Sequence, residues 1–133
     1  MGATWFKGRR NKAGSNNQDQ ANRLRQDINR FHGAVVTCWE LQEKARQLPE
    51  NERKGLAEMI NSQLRETADA WSAIATESRR FSDELQMRLQ ALAELAAMDP
   101  DKANLIRRTK AMARFTQKLL EQVEKEAASK SKP

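Results

Sequence analysis

An all-α fold follows from three features of the chain. Of its 133 residues only 5 are glycine and 3 proline, too few turn formers for the many short strands of a sandwich or barrel. Apolar residues recur in alternating steps of 3 and 4 over long stretches, the heptad spacing of helices that pack lengthwise. The internal prolines, Pro49 and Pro100, stand where such stretches end. Together these predict an elongated, antiparallel, up-down-up bundle of three coiled-coil-like helices with a long middle member. At 15.2 kDa the chain has room for one domain.

Residues 1–18 mix glycine, serine, asparagine and lysine without a helical period, and read as a flexible basic N-terminal arm. A helical domain over 19–128 is expected next, with helices at about 19–47, 49–98 and 100–127, followed by a disordered basic tail at 129–133. In the first helix Leu24, Ile28, Phe31, Val35, Cys38 and Ala45 form the seam. Gln42 is a polar intrusion, with Leu41 beside it as a substitute.

The segment Leu48-Pro49-Glu50-Asn51-Glu52 combines a helix stop with a helix start. A residue before proline is pushed from helical angles, proline suits the first helical turn, and acids favour the positive end of the dipole. Beyond it Ile60, Leu64, Thr67, Trp71, Ile74, Ser78, Phe81, Leu85, Arg88, Leu92 and Leu95 hold the 4-3 step without a slip. A continuous rod about 75 Å long is therefore favoured, flanked by helices of about 40–45 Å. A break near Thr76 to Ser82, where serine and threonine weaken helix propensity, is the compact alternative. A thin rod buries little surface per residue. A partner-helix interface is accordingly assigned to Leu64, Trp71, Ile74, Phe81, Leu85 and Leu92, covered by a second copy or another helical protein.

Asp99-Pro100 repeats the boundary pattern, with Asp99 placed to cap the third helix. Leu105, Met112, Phe115, Leu119 and Val123 make the apolar stripe of that helix. Trp39, near the first seam, and Trp71, on the second, read as anchors between helices.

Catalytic chemistry finds little footing. The one histidine, His32, has Asn29 three residues before it, so the Glu-x-x-His pair of a di-iron bundle is missing. His32 and the one cysteine, Cys38, are six residues apart, about 240° around a helix, which precludes a dyad within it. Gly8 and Gly14 are one residue too far apart for a phosphate loop, and no lysine follows Gly14. Acid pairs such as Asp83-Glu84 belong to wet helix faces. No catalytic, metal-ligating or cofactor-binding residue is assigned, and no small-molecule substrate is expected.

Charge is distributed more tellingly than its total of +6. The arm holds Lys7, Arg9, Arg10 and Lys12 against no acid, the stretch 49–98 has 6 bases against 9 acids, and 99–133 has 9 against 5. Arg107, Lys110, Arg114 and Lys118 step by 3, 4 and 4 along the third helix, which aligns them in a ridge opposite its apolar stripe. Arm and ridge are the candidate sites for an anionic partner. The expectation is a non-enzymatic helical adaptor, assembly or chaperone-like protein that works through helix–helix contact with itself or another protein. A small nucleic-acid-binding accessory factor using arm and ridge is the alternative, and membrane binding is disfavoured. With neither a membrane-length apolar run nor the apolar core of a secretory signal, the cytoplasm is the expected compartment.

Overall fold

The computed structural model describes the backbone of residues 2–98 and 104–131, with the side chains of residues 18–98 and 104–129. Four helices follow one another: α1 (Gly2–Arg46), α2 (Arg53–Glu77), α3 (Asp83–Ala96) and α4 (Leu105–Ser131), with single 3₁₀ turns at Glu50–Glu52 and Ser78–Arg80. No strand occurs among the described residues.

α1 starts at Gly2, not near residue 19 as the change of spacing predicts. No proline precedes Pro49, so backbone chemistry nowhere forbids the helix. The arm cations Lys7, Arg9, Arg10 and Lys12 lie outside the residues whose side chains are described. The helix ends with Lys44 and Arg46 in its last turn, where cations oppose the dipole. Gln47 N and Leu48 N donate to Lys44 O and Ala45 O at 3.1 and 3.2 Å, and Pro49 turns the chain at φ −59, ψ 152. Arg53 Nε closes the turn by donating to Leu48 O at 2.9 Å.

The long middle helix of the sequence reading is two helices. Phe81 (φ −92, ψ 167) and Ser82 (φ −65, ψ 164) are extended, and the Ser82 side chain accepts from Leu85 N at 3.2 Å as the N-cap of α3. Asp83 and Glu84 occupy the first turn of α3, where the dipole favours acids. Glu126 of α4 fixes the corner, its Oε1 accepting from Ser82 N at 2.9 Å and its Oε2 from Ser82 Oγ at 2.6 Å. Magnitudes explain why the break wins. Folding back buries Leu85, Leu89 and Leu92, at about 1.5–3 kcal/mol each. The interrupted helix recovers a cap of about 1 kcal/mol at its new start. The long middle member is therefore replaced by two helices, α2 and α3, and the three-helix rod by four helices.

Cross-helix pairs set the directions. Glu77 lies beside Asp27 and Glu66 beside Arg30, so α2 runs antiparallel to α1. Ser82 meets Glu126 and Glu84 meets Gln122, so α4 runs antiparallel to α3. Arg108, near the start of α4, lies over Trp39, near the end of α1, while Glu126, near the end of α4, holds Ser82 just beyond Glu77, which sits beside Asp27; α4 is thus antiparallel to α1 as well. The chain thus goes up, down, up, down, with α1 packed on α2 along one side and α4 along the other, and α3 seated mainly on α4.

Most of the seam read for the first helix lies in the core: Leu24, Ile28, Phe31, Val35 and Cys38 are buried, while Ala45 is only partly covered. Ala21, Ala34 and Trp39 widen the stripe beyond that seam. From α2 come Ala70 and Ile74, from α3 the three leucines, and from α4 Met112, Leu119, Val123 and Ala127. α4 begins at Leu105, later than expected, and Asn104 is its cap, Oδ1 accepting from Arg107 N at 3.1 Å. The capping role expected of Asp99 lies outside the described residues. α4 also runs on to Ser131 instead of ending near residue 127.

Candidate functional site on the outer face of the last helix

Arg107, Lys110, Arg114 and Lys118 are all exposed. The cause is the inward set of α4: with Met112, Leu119 and Val123 in the core, residues about half a turn away must face water. None of the four forms an ion pair with a described residue. Lys125, which the sequence reading did not assign, is exposed and extends the line by another two turns. From Arg107 to Lys125 the cations span about 27 Å along the axis. Glu121 interrupts them, holding Gln117 Nε2 at 3.1 Å.

Phe115 departs from its expected place in the apolar stripe. It is 40% exposed, at the border between the core and the cationic line. The residue facing it from α3 is Ala91, whose methyl group is too small to cover a phenyl ring. A notch of about 150 Å³ results, lined by Arg88, Ala91, Phe115 and Lys118. A wider cleft of about 320 Å³ continues from it, lined by Arg88, Lys118, Glu121, Gln122 and Lys125. Arg88 Nη2 bonds Glu84 Oε1 at 3.3 Å, while its Nε is buried without a hydrogen-bond partner among the described residues.

The residues assigned to a partner interface are placed differently from one another. Ile74, Leu85 and Leu92 are fully buried by the chain's own helices, because the break at Ser78–Ser82 folds α3 back. Trp71 and Phe81 are half-buried, the Trp71 ring packing on Phe31 at 5.1 Å between centroids. Leu64 is 48% exposed and, with Met98, edges a mostly apolar cleft of about 250 Å³ whose floor holds Val35, Cys38 and Trp39. Trp39 itself is buried beneath the Arg108 guanidinium, 4.2 Å from its ring centroid, a desolvated cation–π contact.

One ionisable cluster escaped sequence reasoning. On the α1–α2 face Arg30 holds Asp27 (Nη1–Oδ1 2.8 Å) and Glu66 (Nε–Oε1 2.7 Å). Glu77, the last residue of α2, lies beside the Asp27 carboxylate, and its Oε2 is buried without a hydrogen-bond partner among the described residues. Burial and that neighbouring carboxylate push its pKa up to about 7, against the opposing pull of Arg23 and Arg30. Burial also lowers the pKa of His32 and raises that of Cys38, which keeps both neutral at pH 7. Among the described residues no group of three His, Cys, Asp or Glu is placed to hold a metal ion, and no helix is long and apolar enough to cross a membrane.

A four-helix bundle with a cationic outer face is a scaffold shared by unrelated proteins, so its use must be read from that face. No protein-family model, curated protein or solved structure matches the chain.

Proposed function

We propose that the chain is a non-enzymatic binding protein of the cytoplasm that takes the phosphate backbone of nucleic acid on the outer face of α4. The observation that carries this reading is the row of Arg107, Lys110, Arg114 and Lys118, exposed together on one helix face without ion-pair partners among the described residues. Lysine and arginine spaced along a helix neutralise successive phosphates and release condensed counterions, which makes binding both favourable and salt-dependent. The basic arm residues Lys7, Arg9, Arg10 and Lys12 add four charges to the same task.

The test is fluorescence anisotropy with a labelled oligonucleotide across a salt series. Binding weakens log-linearly with salt, by a slope of about 0.7 per phosphate contact on a single strand. Replacing Arg107, Lys110, Arg114 and Lys118 by glutamine lowers the slope by about 2–3. An unchanged slope in that variant contradicts the reading.

A second reading, the helical adaptor, draws on the apolar cleft between Leu64 and Met98, which offers a groove to a partner helix. It predicts a solution mass above 15.2 kDa by light scattering, or capture of an amphipathic helix that Leu64→Glu abolishes.

A further inference from the structure

We propose that the Phe115 notch between α3 and α4 is a stacking point for one unpaired base, which makes single-stranded nucleic acid the preferred ligand of the cationic face. This rests on the phosphate-binding reading above and adds to it the class of strand. A phenyl ring left 40% exposed between two helices has given up burial that a larger neighbour than Ala91 would have supplied. The notch of about 150 Å³ is of the size that holds one aromatic ring. Its remaining walls are cationic: Lys118 from α4 and Arg88 from α3. Arg114, one residue before Phe115 in the sequence, is also exposed. A π-surface with Lys118 on its wall and Arg114 beside it, Arg88 being paired with Glu84, matches a nucleotide, whose base stacks while the flanking phosphates meet the free charges.

Duplex bases keep their faces stacked on each other, so a recessed ring reaches only a base that has left a stack. A membrane needs a protruding apolar face and finds here a recess. An acidic peptide without aromatic residues, such as polyglutamate, satisfies Lys118 and Arg114 but supplies no planar group for the notch.

The experiment compares wild type, Phe115→Ala, Phe115→Leu and Phe115→Trp on a labelled 20-mer of deoxythymidine, on a duplex of equal length and on polyglutamate. The leucine variant keeps apolar packing while losing the π-face, and circular dichroism checks helix content in each. Phe115→Ala and Phe115→Leu are expected to weaken single-strand binding about tenfold, the scale of one base stack. Their salt slope is expected to match wild type, because no phosphate contact is removed. Phe115→Trp is expected to hold or strengthen binding, and duplex binding to be the same in all four proteins. Equal losses on strand, duplex and polyglutamate, or no loss on the strand, overturn the stacking point. If the strand also binds wild type with a steep salt slope, the phosphate-binding reading survives that failure. If neither nucleic acid binds wild type at low salt, both readings fall.

Discussion

α1 and α4 cross the same core in opposite directions yet use their surfaces differently. The inner stripe of α1 is apolar from Ala21 to Trp39. That of α4 admits Arg108, Thr116 and Gln122 among its buried residues, and its outer face carries the cationic line. α1 behaves as a wall whose residues matter through volume. α4 divides its circumference between packing and presentation, and admits polar groups inside, Arg108 stacked on Trp39 and Thr116 with no hydrogen-bond partner among the described residues. The lesson is that the helix bearing the proposed site is also the one that buries polar groups in its packing face.

The sharpest way to test the contrast is core truncation. Ile28→Ala in α1 is expected to cost about 3–5 kcal/mol in urea unfolding, since Ile28 is fully buried. Exchanging the exposed Lys110 of α4 for glutamine is expected to move stability by less than about 0.5 kcal/mol while weakening nucleic-acid binding. Next in size is the corner that creates α3. Ser82→Ala removes the cap to Leu85 N and the bond to Glu126, at an expected cost of about 1–2 kcal/mol. Ser82→Asp tests the cause: its carboxylate caps equally well but faces Glu126, so it is expected to rescue only in part.

Smaller effects probe the polar interior. Thr116 is 4% exposed and its hydroxyl has no hydrogen-bond partner among the described residues. Thr116→Val is expected to stabilise by about 1 kcal/mol, which α1 offers no position to match. On the α1–α2 face the folded chain keeps the Glu77 proton up to about pH 7. The unfolded chain releases it in the ordinary carboxylate range. This group's contribution is therefore complete below that range and is lost as pH rises through about 7. Glu77→Gln is expected to raise the melting temperature more at pH 8 than at pH 5, while Asp27, Arg23 and Arg30 keep their places.

The first turn and the seam of α1 were legible because Pro49 interrupts a helix by covalent geometry and the apolar ladder before it is unbroken. The second turn was hidden by its own register. Ser78, Phe81 and Leu85 keep the 4-3 step on both sides of the break, so periodicity passes through it unaltered. What marks the break is the cap of Ser82 ahead of Asp83 and Glu84, a local signal outweighed by a long-range pattern. Once α3 folds back, Ile74, Leu85 and Leu92 are covered by the chain itself, and the need for a partner over them goes. The ridge from Arg107 to Lys118 was legible from spacing alone. Phe115 was not, because its exposure depends on a small residue, Ala91, brought opposite by the fold. The pairing of Asp27 with Glu77 was likewise invisible, as the two are distant in sequence and meet only across α1 and α2.

The most direct test is an amide NMR titration of the ¹⁵N-labelled chain with a short single-stranded oligonucleotide. The shifts are expected to cluster on Arg107, Lys110, Arg114, Phe115 and Lys118, with Leu64 and Met98 still. Shifts gathered at Leu64 and Met98, with the outer face of α4 unmoved, would contradict the account.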